Sequence, residues 1–158
     1  MHLRRNTAIA IYNSVFVGYP EGLRLDGTAT YANFNGTATT TGASNATLQG
    51  ITFSNMSADY KEAGGTLFAD IKTYFETATR KNNPAASTTV ASLLLNANAF
   101  TLGSAADFRP QSTSPLVTNA NTATVPTGLT QTTYRGAFDA TTNWTSGWAN
   151  FDPQNADY

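Results

Sequence analysis

The apolar residues of this chain come in short, β-branched runs, each closed by Asn, Ser, Gly or Pro. From Thr7 to Val17 the pattern alternates through Ile9, Ile11, Val15 and Val17, with Tyr12 and Phe16 between them. Alternation of this kind marks a half-buried strand rather than a helix. Asn13-Ser14 supplies a bend in the middle, and Pro20 and Gly22 end the segment. Leu23-Arg24-Leu25 gives a further short strand closed by Asp26-Gly27. Thr47-Leu48-Gln49 and Ile51-Thr52-Phe53-Ser54-Asn55-Met56 repeat the theme. Set beside Ile11-Tyr12-Asn13-Ser14-Val15-Phe16, the second of these suggests successive coils of a solenoid, each apolar rung broken by an Asn/Ser corner.

Composition narrows the classes. With 158 residues there is room for one domain with a real core and little room for two. Charged residues make up 12% of the chain and the net charge is −1, where about 25% charged is usual. Thr and Asn take their place. Disorder driven by charge is excluded, and so is a basic nucleic-acid footprint. The absence of cysteine removes disulfides, thiolate metal sites and cysteine nucleophiles together. No stretch approaches the roughly 20 apolar residues of a membrane span, so no membrane insertion is expected. Met1 to Arg5 followed by Ala8–Ile11 mimics a signal peptide. Asn13-Ser14 interrupts that apolar run, however, and no small-residue cleavage site follows.

One amphipathic helix is expected over 66–82, with Leu67, Phe68, Ile71, Tyr74, Phe75 and Ala78 on one face. Thr66 is placed as its N-cap, Arg80-Lys81 suits its C-terminal dipole, and Asn82-Asn83-Pro84 stops it. The polar tract from Thr28 to Thr47 reads as a loop or outer strand, and Asp59-Tyr60-Lys61-Glu62 as a solvated turn. Beyond Pro84 the chain is loop-rich. Its end concentrates aromatics at Tyr134, Phe138, Trp144, Trp148, Phe151 and Tyr158.

Three segments carry a resemblance. The tail runs Thr133-Tyr134-Arg135-Gly136-Ala137-Phe138, then Asn143-Trp144, then Gly147-Trp148-Ala149-Asn150-Phe151-Asp152-Pro153-Gln154. Upstream lie His2-Leu3-Arg4-Arg5-Asn6-Thr7 with Gly18-Tyr19-Pro20, and Asp107-Phe108-Arg109-Pro110 with Ser114-Pro115-Leu116. In that order they resemble the C-terminal portion of secreted, pectin-lyase-like surface proteins of the Bacteroidetes type. The resemblance implies a mainly β fold, a right-handed parallel β-helix with one amphipathic helix and an aromatic C-terminal cap. It also implies an extracellular or outer-membrane surface location. The single domain would then divide into coils over 1–65, the helix over 66–82, a last coil with extended loops over 83–130, and the cap over 131–158. Family members carry many coils before the Arg-Arg-Asn segment, so the chain is expected to be a fragment or a shortened relative. Its N-terminal coil is expected to present an open strand edge to another protein chain.

Candidate sites are few. Trp144, Trp148 and Phe151 share i, i+4, i+7 spacing, with Tyr134 nearby, and such rings either stack on a glycan or bury about 150–250 Å² each as core. A terminal position on a solenoid favours the cap, for which Trp148→Ala should cost roughly 3–5 kcal/mol. Arg135 is expected over a ring or paired with Asp139 or Asp152. His2, the only histidine, reads as a solvated terminal residue, which leaves no Ser-His-Asp constellation. Carboxylate chemistry needs only two acids, yet Asp26, Asp59, Glu62 and Asp70 are dispersed and no loop follows a calcium pattern. No catalytic, metal or cofactor-binding residue is assigned. The Thr-rich tract lacks the regular spacing of an ice-binding array, and the N-x-S/T matches at Asn35, Asn45, Asn55 and Asn143 follow from composition. The expected function is non-catalytic, a structural, adhesion or glycan-contact role with polysaccharide as partner. The alternatives are a fragment of a carbohydrate-active β-helix enzyme and, more remotely, an ice- or surface-binding module.

Overall fold

Short runs make short strands. The computed structural model describes residues 1–35, 46–62, 68–101 and 106–155. Its strands are β1 (His2–Leu3), β2 (Ala10–Tyr12), β3 (Val15–Val17), β4 (Glu21–Leu25), β5 (Thr47–Gln49), β6 (Thr52–Ser54) and β7 (Ala58–Glu62). Two helices interrupt them, α1 (Thr28–Asn35) and α2 (Phe68–Glu76). The strands pair only in parallel, as β1-β4-β7, β2-β5 and β3-β6.

Left-handed corners set the register. Asn13 (φ 46°) separates β2 from β3, and Gly50 (φ 69°) separates β5 from β6. Ile11 lies beside Leu48 and Phe16 beside Phe53, so Asn13 stacks on Gly50. Gly18 and Asn55, also left-handed, follow β3 and β6 in the same way. The pairing therefore differs from the alignment of Ile11 with Ile51, because the corner that needs positive φ, and not the apolar run, sets the frame. Gly50 is obligatory there: a Cβ would fall on the Asn13 side-chain oxygen.

The expectation of a mainly β parallel β-helix does not hold. Among the described residues helices interrupt the strands, and the parallel strands form small separate sheets, not a solenoid. From Lys81 to Asn155 the described residues contain isolated bridges at Asn83, Leu95 and Pro110, and 3-10 turns, but no strand. This half is rich in Ala, Thr, Asn and Pro and lacks period-2 apolar runs, so it offers no apolar rung to lay on the last strand.

Three local readings are also corrected. Thr28–Asn35 is helical, beginning after Gly27 (φ 86°), whose carbonyl accepts the Tyr31 N–H. Its Thr30 and Asn33 are buried, and Asn33 donates to the carbonyls of Asn6 and Thr7. Asp59–Glu62 belongs to β7, where Tyr60 turns into the core and Lys61 outward. The helix over 66–82 is shorter, ending at Glu76, because Thr77 turns extended (ψ 125°) before a 3-10 turn at Ala78–Arg80. The Thr66 cap and Leu67 lie outside the described residues, as do Thr37, Thr39, Thr40 and Thr41 of the Thr-rich tract.

One core holds the sheets and α2 together. Leu23, Leu25, Leu48, Ile51, Phe53, Ile71 and Phe75 are fully buried. Phe75 stacks on Phe53 at 4.7 Å and meets Tyr60 edge-on at 5.5 Å. Burial pushes the Tyr60 hydroxyl well above its ordinary range, which keeps it a donor to Glu76. Asn82 ties α2 to the strands: its side-chain oxygen accepts the Ile51 N–H, and its amide donates to the carbonyls of Leu48 and Phe75.

Candidate functional site

The C-terminal aromatics assemble into a ladder. In spatial order it runs Phe151, Phe108, Phe138, Trp144, Trp148. Phe151 meets Phe108 edge-on at 4.8 Å, and Phe108 tilts toward Phe138 at 6.0 Å. Trp144 stacks on Phe138 at 5.2 Å and Trp148 on Trp144 at 5.6 Å, both within 27° of parallel. The local chain explains the last step. One turn at Thr145, whose carbonyl accepts the Ala149 N–H, carries Trp148 back over Trp144.

Both indole N–H groups are spent inside the ladder. Trp144 Nε1 donates to the Ala137 carbonyl at 2.8 Å, and Trp148 Nε1 donates to the Trp144 carbonyl at 2.6 Å. The rings are thereby oriented, and what remains outward is apolar ring surface. Trp148 is 68% exposed and Trp144 49%. None of the five rings belongs to the core cluster under the sheets. The cap expected over 131–158 is corrected accordingly: the tryptophans stack on each other and on Phe138, which leaves them at the surface instead of over the strands. Tyr134, grouped with them in the sequence, makes no ring contact among the described residues.

Two arginines position the ladder. Arg109 closes a two-pronged pair on Asp107, Nε to Oδ1 at 2.9 Å and Nη2 to Oδ2 at 2.8 Å, joining the two residues that flank Phe108 in the chain. Its Nη1 reaches the Thr141 carbonyl at 3.0 Å, pinning the segment that leads to Trp144. Hydrogen bonding from Arg109 holds the Asp107 carboxyl below the usual carboxylate range. Arg135 is 2% exposed and pairs with neither Asp139 nor Asp152, nor does it lie over a ring. It donates instead to the carbonyls of Ile51, Lys81, Ala120 and Asn121 and to the Thr52 hydroxyl. Burial lowers its pKa, and the carbonyl dipoles stand in for a counter-ion. Next in sequence, the Gly136 N–H donates to the Asn13 carbonyl, so the ladder's base is stitched to the β2–β3 corner. A mostly apolar cavity of 260 Å³ lies behind Phe108 and Phe138, against Val15, Val17 and Leu116.

No protein-family model, curated protein or solved structure matches this chain.

The dispersed acids are engaged one by one. Asp59 accepts the N–H groups of Ala85 and Ala86, Asp70 the Tyr31 hydroxyl, and Glu76 the Tyr60 hydroxyl. Asp139 accepts the N–H groups of Thr141 and Thr142, which hold it below the usual carboxylate range. His2 faces Asp26 at 3.2 Å. Among the described residues no three His, Asp or Glu side chains converge as a metal site. Sequence reasoning missed Phe108 as a rung, because its 30-residue separation from Phe138 hides the contact. The Asp-Phe-Arg tripeptide was the available signal, since flanking ions can orient an aromatic between them.

Proposed function

We propose that this domain is a non-catalytic glycan-contact module of a bacterial surface or secreted protein. The observation that carries the reading is Trp148: an exposed ring at the end of an ordered stack, with its N–H already satisfied. Aromatic faces of this kind bind the C–H faces of sugars, gaining apolar contact without giving up a hydrated donor. Trp144 has Phe138 on one side and Trp148 on the other, so the free outer face belongs to Trp148. One sugar unit is therefore stacked, with the edge of Trp144 beside it. Support for a non-catalytic role comes from the acids: Asp59, Asp70, Asp107 and Asp139 each serve as an acceptor that shapes a turn or pins a helix.

A glycan array tests the reading. The wild-type chain should mark a restricted set of glycans, and Trp148→Ala should lose them while keeping its far-ultraviolet spectrum and a cooperative thermal transition. Binding that survives Trp148→Ala undiminished overturns it. So does release of reducing sugar or unsaturated uronate by the pure protein.

A further inference from the structure

Strands β2 and β3 are paired on one side only. β2 lies against β5 and β3 against β6, and no described strand covers their other edge. In a parallel ladder alternate residues turn their peptide groups to opposite edges. The Thr47 N–H bonds to the Ile9 carbonyl and the Asn13 N–H to the Gln49 carbonyl, which commits the odd residues of β2 to β5. Ala10 and Tyr12 therefore turn the other way. On β3 the Thr52 N–H bonds to the Ser14 carbonyl and the Gly18 N–H to the Ser54 carbonyl, so Val15 and Val17 turn outward. None of these four N–H groups has a partner among the described residues. Of the four carbonyls only that of Tyr12 is engaged, by the Ser14 hydroxyl.

A groove of 670 Å³ runs along this edge. Every residue from Ala10 to Phe16 lines it, and so do Val125, Leu129, Thr130 and Thr132 of a later loop. Leu129 is 60% exposed. Residues 6–20 contain no Asp, Glu, Lys, Arg or His, and no charged residue lines the groove. Lys, Pro or an inward charge commonly guards an exposed edge. None stands within β2 or β3. A charged segment laid here would lose water and gain no counter-ion.

The opposite edge defines the shape of the occupant. There residues 47–54 follow the bend at Asn13 by placing Gly50 (φ 69°) at the corner, with Leu48 beside Ile11 and Phe53 beside Phe16. A second copy has no such segment to offer. Its residues 47–54 are already bonded on both edges, to β2 and β3 on one side and to Arg80 and Asn83 on the other.

We infer that the β2–β3 edge takes up an extended, uncharged segment of another polypeptide by strand addition, laid parallel, with Gly or Asn at the residue that meets Asn13. This interaction goes beyond the glycan-contact reading and does not depend on it.

Fluorescence anisotropy with the whole chain tests it, using a labelled, acetylated peptide that copies residues 46–55. The peptide should bind saturably, and a scrambled peptide of the same composition at least about tenfold more weakly. N-methylation separates strand addition from simple apolar contact. In the register of β5 and β6, the peptide's N–H groups at Leu48 and Phe53 face the Ala10 and Val15 carbonyls, and those at Thr47 and Thr52 face away. Methylating the first pair should weaken binding by about tenfold or more, and methylating the second by less than about threefold. Leu129→Asp should weaken the unmodified peptide by about tenfold while keeping a cooperative thermal transition. Trp148→Ala should bind the peptide as the wild type does. No binding, equal binding of the scrambled peptide, or equal binding of the two methylated peptides overturns the inference. A molar mass by light scattering that rises with concentration and falls back when the peptide is added gives the edge to a second copy, and overturns it as well.

Discussion

At the scale of single residues, Trp148 and Arg135 exchange the roles their chemistry suggests. The large aromatic sits 68% exposed, and the cation sits in the interior. Trp148→Ala removes one offset stacking contact and little buried surface. It should cost under about 1.5 kcal/mol of stability, not the 3–5 kcal/mol of a core aromatic; urea denaturation measures it. Arg135→Met leaves the buried Ala120 carbonyl and Thr52 hydroxyl without that donor. Orphaned buried polar groups cost about 1–3 kcal/mol each, so a loss of roughly 3–5 kcal/mol is expected by the same assay. Arg135→Lys should recover only part, since one ammonium cannot span a fork of five donors. A variant as stable as the wild type would show that the guanidinium does not join these segments.

Elements are held by corners and clasps more than by strand length. Strands of three residues have little pairing of their own, so β2–β3 and β5–β6 depend on Asn13 and Gly50 keeping register. Gly50→Ala puts a methyl group on the Asn13 oxygen in a left-handed conformation, and should lower the melting temperature by several degrees, for about 1–3 kcal/mol. An unchanged melting temperature would mean that the corner repacks freely. The Asp107–Arg109 clasp adds a pH dependence. Asp107 has a folded pKa below its unfolded value of about 4, so its contribution is fully present above that value and is lost as pH falls through the lower one. Between pH 5 and pH 3, roughly, the wild type should lose more stability than Asp107→Asn. Parallel losses in the two proteins would remove the clasp from the account.

For the whole molecule, the sequence displayed some levels of organisation and hid others. Short β-branched runs and their Asn and Gly breaks were readable, because alternation and positive-φ residues are local signals. So was α2, whose Ile71 and Phe75 fall on one face. The helix over Thr28–Asn35 was not, since Thr-Ala-Thr-Tyr-Ala-Asn-Phe-Asn has no apolar stripe, and tertiary bonds from Thr30 and Asn33 to the Asn6–Thr7 turn decide it. Nor was the change of architecture after residue 80, where a familiar tail pattern implied more parallel rungs than the residues can build. The aromatic concentration was visible but its packing was not: spacing alone cannot say whether Trp148 meets the core or another ring. Arg135 escaped for the same reason, its partners lying up to 84 residues away.

Trp144 and Trp148 are the only tryptophans in the chain, so intrinsic tryptophan emission reports on the ladder alone. Acrylamide quenching followed through a titration with an array-positive oligosaccharide is the most direct measurement. The free protein should emit at long wavelength and be readily quenched, and the sugar should shift the emission to the blue and protect it saturably. Trp148→Ala should abolish the response. Emission already blue and shielded in the free protein, or a spectrum that no glycan alters, would contradict an exposed sugar-binding face.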